Sequence, residues 1–304
     1  MCENGGYMEN FERKNLIELR KMKIKELEIY HMELRKYEFD NNIPLKNIIL
    51  RNKIHPLMIL ILKIDRILNN ETLEVINDER IKTSKPKIFA CTHIGGNDIQ
   101  RTFEAIRDPA YLFLGDPKEI YRDVTGVLLK LNGSICLETW NKEDRKIAKE
   151  RSIELLNNGG NLLIYPEGAW NIFPNLPVMK LYKGTVSIAR QTNADIIPIG
   201  IEQYGKNFIV SIGKNISAYE NSNISLEEFN LKLRDALATE KWKIFEKNGI
   251  VSRTSISNVP LDVYQQEIVN RCSYDFSVKD VYDTMYKDTI SPDEVFEPIR
   301  KLSL

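Results

Sequence analysis

The 304-residue sequence lacks a C-x-x-C motif, an excess of either charge and any apolar run long enough to span a bilayer. Its four cysteines (Cys2, Cys91, Cys136 and Cys272) stand alone, which argues against a disulfide framework and for a reducing compartment. The 43 basic and 43 acidic residues cancel, so no global field draws the chain to nucleic acid. Its three histidines, His31, His55 and His93, lie far apart with no acidic cluster beside His93, so no metal site is expected. The longest apolar run, Leu57 to Leu62, falls well short of the roughly 20 residues of a spanning helix. The first residues, MCENGGYMEN, are acidic and polar where a secretory signal has a basic start and an apolar core. A cytoplasmic protein is the expectation.

What is present divides the chain into three parts. Residues 1–71 read as helical. Ile17, Ile24, Leu27 and Leu34 are spaced for one face of a helix over 8–39, and Leu57, Leu60, Ile61, Ile64, Ile67 and Leu68 for another over 56–68. That second helix reads equally as core packing or as an interfacial helix, because Lys46, Arg51, Lys53, Lys63 and Arg66 flank its apolar residues within 46–68. Residues 72–222 alternate short apolar runs with helical stretches: seven strand-like segments from LEVI to FIVSIG, separated by DIQRTFEAIR, EIYRDVTGVLLKL, KEDRKIAKERSIELLN and GTVSIARQT. That alternation predicts an α/β domain with a largely parallel sheet flanked by helices. Residues 223–304 return to helical texture, opened by Ser225 and Glu228 in capping-box register.

The stretch CTHIGGNDIQ, residues 91–100, sits where a strand gives way to a helix. Inside one helix, His93 and Asp98 would diverge by about 140°. They meet only if the histidine lies in the preceding loop and the chain turns back, which Gly95 and Gly96 permit. The arrangement places an imidazole at a strand's C-terminal end, the usual ligand position in open α/β sheets. A nearby carboxylate can then fix its tautomer and stabilise the imidazolium it forms as a general base. On spacing alone, a loop histidine beside a helix-capping aspartate is the better explanation of the pattern.

Seven blocks in order over residues 72–202 resemble the glycerolipid acyltransferases that acylate glycerol phosphate and lysophosphatidic acid. THIGGND is similar to their N-H-x-S-x-x-D signature, with Gly95 at the serine position. LEVINDERI resembles the strand before it, and GDPKEIYRD the K-E-L block, through Lys118, Glu119 and Ile120. GSICLET aligns with G-x-I-F-I-D-R and LIYPEGAW with F-x-F-P-E-G-T-R. LYKGTVSIAR and DIIPIGI follow as the K-x-G-A helix opening and the V-P-V strand.

The resemblance implies the acyltransferase fold and an O-acyltransferase in which His93 is the general base, oriented by Asp98. The donor would be acyl-CoA, acyl carrier protein or an acyl phosphate, with no bound cofactor and no acyl-enzyme. It further implies an acceptor site of Glu167, Gly168, Lys118, Trp170 and Thr139, and a cleft shaped by Gly95, Gly96, Pro166, Lys183 and Gly184, the last two reading equally as an ordinary helix start. With a lipid substrate and no spanning segment, the enzyme is expected at the membrane surface, on the inner face of the cell membrane. The sequence departs from the family at the phosphate-gripping arginines: Thr139 and Trp170 stand in their places. Neither can replace a guanidinium fork on phosphate, although Arg122, Lys142 or Arg145 could move in. The acceptor is therefore open between a lysophospholipid-like molecule and a sugar, polyol or glycolipid. A non-catalytic lipid-binding relative and a hydrolase using His93 are the competing readings.

Overall fold

The computed structural model describes residues 11–45, 48–122, 124–173, 176–249, 260–272 and 274–286. Its centre is an eight-stranded sheet: β1 (Thr72–Asp78), β2 (Lys87–Cys91), β3 (Tyr111–Gly115), β4 (Ser134–Leu137), β5 (Leu162–Ile164), β6 (Asp195–Tyr204), β7 (Asn207–Ile212) and β8 (Ile216–Ser217). The order is β1-β7-β6-β2-β5-β3-β4, with β8 beside β6. Pairs from β6 through β2, β5 and β3 to β4 are parallel, as is β1 with β7. The pair β6–β7 is antiparallel because two residues, Gly205 and Lys206, join the strands, too few for a crossover. The two-residue β8 is too short to carry an apolar pattern, which is why sequence shows seven strands rather than eight.

Successive side chains of β2 feed opposite cores. Ile88 and Ala90 pack with Leu155, Val186 and Leu233 on one face, and Phe89 and Cys91 with Ile59 and Phe103 on the other. Apolar residues on both sides are what a central parallel strand requires. The first face carries α6 (Lys142–Asn157), α7 (Gly184–Thr192) and α8 (Leu226–Asn248). The second carries α3 (Ile48–Leu68) and α4 (Asp98–Ile106). The Ser225 hydroxyl caps α8 by accepting from the Glu228 N–H at 3.1 Å.

Three helical expectations change. The helix predicted over 8–39 is two, α1 (Leu16–Lys21) and α2 (Ile24–Asp40), because Met22 and Lys23 are extended and the Glu26 carboxylate restarts the helix at the Lys23 N–H. The break resets the helical phase: Leu19 is buried, while Ile17 is 68% exposed. The helix predicted over 119–131 is a 3₁₀ turn, Lys118–Arg122, followed by α5 (Val124–Asn132). The turn closes onto Gly126, where a Cβ would sit 1.8 Å from the Ile120 carbonyl oxygen. The helix predicted from residue 56 begins at Ile48 and runs through Pro56. It buries His55, Met58 and Ile59 beside α4 and α5, and exposes Leu57, Leu60, Ile64, Ile67 and Leu68. Core packing and an uncovered apolar face thus coexist on one helix. No helix among the described residues is long and apolar enough to cross a membrane.

Beyond α8, the described C-terminal segment forms α9 (Leu261–Val269) and α10 (Val278–Thr284). Tyr264, Ile268 and Val281 pack on Ala169, Ile172 and Met179, the loop that follows β5. The remainder of the predicted C-terminal helices, at 287–304, lies outside the described residues, as does Lys46.

Candidate active site

Because β2, β5, β3 and β4 are adjacent and parallel, the segments that leave them share one sheet edge. These segments hold His93, Tyr165 to Trp170, Asp116 to Lys118, and Thr139. Gly95 at φ 82° and Gly96 at φ 62° turn the chain after β2, and Asp98 becomes the first residue of α4. Its Oδ2 lies 2.7 Å from His93 Nδ1 and accepts the Ile94 and Gly95 N–H groups at 2.8 and 3.0 Å. An oxygen that takes two amide hydrogens is an acceptor, so Nδ1–H donates to it and Nε2 keeps its lone pair. The same two amides are thereby committed to Asp98 and are not free to bind a developing oxyanion.

The segment after β5 grips His93 on both sides of its backbone. Glu167 Oε1 accepts the His93 N–H at 3.0 Å, and Asn171 donates its N–H to the His93 carbonyl at 2.7 Å. Thr92 ties the same loop to β6, accepting the Ile201 N–H on its hydroxyl at 3.1 Å. The imidazole lies against the Tyr165 ring with centroids 4.2 Å apart, and Trp170 meets it edge-on at 6.2 Å. Tyr165 is itself fixed by a 3.1 Å hydrogen bond to the Thr102 hydroxyl. His93 is therefore a ring held on one face, at one nitrogen and at both backbone groups, with its other nitrogen turned to a cleft.

That cleft has a volume of about 590 Å³. One arm is apolar, running between α3, α4 and α5 past Met58, Ile61, Leu62, Phe103, Leu128 and Leu129. The other is polar and aromatic, lined by Asp116, Lys118, Thr139, Trp170, Phe276 and Asp280. His93 and Asp98 line the cleft as well. The arrangement offers a nitrogen base beside a slot for a hydrocarbon chain and a pocket for a polar group.

Residues 72–202 match the family model described as acyltransferase. Those residues are an acyltransferase domain. A search of curated proteins finds no match. Among solved structures, the chain is similar to the crystal structure of the 1-acyl-sn-glycerophosphate (LPA) acyltransferase PlsC from Thermotoga maritima. The TM-score is 0.53 at 14% identity, over 73% of this chain and 98% of that one. At that identity the likeness is one of fold: a mostly parallel mixed sheet flanked by helices.

Not every residue marked from sequence reaches the cleft of the acyltransferase domain. Gly95, Gly96 and Gly168 shape its loops, the last at φ 73° with a would-be Cβ 2.4 Å from the Tyr182 ring. Pro166 is buried and accepts the Tyr182 N–H at 2.8 Å. Glu167, expected to face the acceptor, is fully buried and spends both oxygens on backbone, the second on the Met179 N–H at 2.7 Å. Burial pushes its carboxyl above the usual range, against the opposing pull of those two donors. Lys183 and Gly184 are absent from the cleft: Gly184 opens α7 in open space, and Lys183 is exposed in an ion pair with Glu227. None of the stand-ins for the missing arginines is among the described residues lining the cleft, although Arg145 reaches the backbone of Thr139, which is. Arg122 donates to the Met22 carbonyl at 2.8 Å, Arg145 to the Thr139 carbonyl, and Lys142 is exposed.

Three contributors were not marked from sequence. Asp116 holds the loop after β4, accepting the Thr139 N–H at 2.8 Å and the Thr139 hydroxyl. Phe276 and Asp280 come from the C-terminal segment, beyond the matched domain, where no motif marks them. Only the GDPK spelling beside Lys118 hinted at Asp116.

Proposed function

We propose that the chain transfers an acyl group from a thioester or acyl-phosphate donor to a hydroxyl of a lysolipid-like acceptor. The observation that carries this reading is the free Nε2 of His93, facing a cleft with one hydrocarbon-lined arm. Nε2 takes the acceptor hydroxyl proton as the oxygen attacks the donor carbonyl carbon, and Asp98 stabilises the imidazolium. The tetrahedral oxyanion collapses, expels the thiolate or phosphate, and the imidazolium returns its proton to that leaving group. No protein nucleophile is required. Cys91, the thiol two residues from His93, is fully buried at 3.5 Å from the Thr102 hydroxyl, and burial pushes its thiol far up. The apolar arm accommodates the acyl chain. The exposed face of α3 rests on the bilayer and admits the lipid, with Lys53 and Lys63 toward anionic headgroups.

The test is direct product analysis. The full chain is incubated with acyl-CoA, acyl carrier protein or acyl phosphate and a mixture of lysolipids and neutral glycolipids, and the products are weighed by mass spectrometry. One acyl increment on an acceptor, matched by loss of donor, is expected. A donor left intact with every acceptor contradicts the reading.

A further inference from the structure

The polar arm of the cleft is rich in carboxylates and poor in cations. Among the described residues lining it, Lys118 is the one lysine or arginine, whereas Glu28, Asp116, Asp280 and Asp283 all contribute carboxylates. Lys118 is already engaged. Its ammonium lies 2.7 Å from Asp280 and 4.7 Å from the Phe276 ring centroid. Against the pull of burial, that contact and the Ser277 hydroxyl and N–H together hold the Asp280 carboxyl down at about 2, so it stays a carboxylate at working pH beside Lys118. Glu28 is pushed the other way, by burial and then by the charge of Asp116, which shows the carboxylates crowding one another.

The positions where sequence resemblance expects arginine reinforce the sign. Thr139 donates to Asp116 rather than outward. Trp170 spends its ring between His93 and Phe276, with centroids 6.2 and 5.3 Å away. A phosphate entering here would face carboxylates without a guanidinium fork and would lose its hydration for one lysine already paired. Hydroxyl groups suit the same surface. A carboxylate oxygen accepts more than one hydrogen bond, and the flat faces of Trp170 and Phe276 can cover the C–H side of a ring or polyol.

We propose that the acceptor's head is a sugar or polyol carrying no negative charge, selected by Asp116, Asp280 and Asp283 around Lys118. The proposal rests on the acyl-transfer reading and deepens it. Two of the three selecting carboxylates belong to the C-terminal segment, so selectivity is supplied from outside the matched acyltransferase domain.

The experiment compares three soluble acceptors of equal tail length with one acyl donor: hexyl glucoside, 1-hexanoylglycerol and 1-hexanoylglycerol 3-phosphate. For the native full chain, kcat/KM on the better uncharged acceptor should exceed that on the phosphate by at least about tenfold. Asp280→Asn, which releases Lys118, and Asp283→Lys, at an exposed position, should each narrow that ratio by about fivefold or more. An unfolding curve for each variant serves as the check that it is folded. Equal or better use of the phosphate overturns the proposal, as does a ratio unmoved in both variants or failure to acylate either uncharged acceptor. Acyl transfer to the phosphate alone overturns this inference and leaves the acyltransferase reading standing. Donor consumption that is absent with all three acceptors removes both.

Discussion

Replacing Glu167 by glutamine alters a single group and tests what holds the His93 loop. The carboxylate accepts the N–H of His93 with one oxygen and that of Met179 with the other. An amide presents NH₂ to one of those donors and leaves a buried N–H unpaired. Glu167→Gln should cost about 2–3 kcal/mol of stability and lower kcat through displacement of His93, with KM for the acceptor little changed. Urea unfolding and steady-state kinetics on one preparation separate these effects. A stable variant with a raised KM would return Glu167 to the acceptor site. Glu138 makes a different prediction. Burial lifts its carboxyl from 4.5 to about 7, although the Tyr121 hydroxyl and Arg35 favour the charged form. A folded value above the unfolded one means that the folded protein binds more protons between the two. The contribution to stability is complete below about pH 4.5 and is lost as pH rises through 7. Glu138→Gln should therefore gain stability relative to the native chain between pH 5 and pH 8, by at most about 3 kcal/mol. Unfolding curves at the two pH values check this; an offset that is the same at both would show an ordinary carboxyl.

At the scale of elements, α3 joins the site to the exterior. Arg101 of α4 is fully buried and pairs with Asp65 of α3 at 2.6 Å, Glu71 at 2.7 Å and Glu104 at 2.5 Å. Arg66 of α3 pairs in turn with Glu104 at 3.1 Å. Arg101 lies three positions after Asp98, so the helix that carries the base's partner is locked to the helix that exposes an apolar face. Of the basic residues that flank that face in sequence, Arg66 is committed to Glu104 and Arg51 lies 4.9 Å from the Tyr111 ring centroid. Lys53 and Lys63 remain exposed. Leu60→Asp with Ile64→Asp should reduce flotation with anionic vesicles by about tenfold, since each removes an apolar contact and adds a repelled charge. Both residues are exposed, at 53% and 49%, so the unfolding temperature should stay near the native one. Undiminished flotation would place membrane contact on another element. Ile61 is not substituted, because it lines the cleft.

For the whole molecule, legibility followed sequence distance. His93 and Asp98 could be joined on paper because four intervening residues, two of them glycine, leave few ways to close the loop. Strands buried on both faces, such as KIFAC, announced themselves by unbroken apolar runs, so the parallel sheet was readable. Glu167 was misplaced because a short motif records that a carboxylate is present, and not whether it points to solvent, cleft or backbone. Lys183 and Gly184, which read equally as a helix start or as the cleft floor, are the helix start, being neighbours of the site in sequence and not in space. Asp280 and Phe276 were out of reach, since 162 residues separate Asp280 from Lys118 and no local pattern encodes that meeting. The account as a whole stands on His93 acting as a base, and the decisive measurement is kcat/KM of His93→Ala beside the native chain, with matched donor and acceptor and an unfolding curve for each. A loss of about 10²–10⁴-fold with the fold retained is predicted. Native turnover by a folded His93→Ala protein would contradict it.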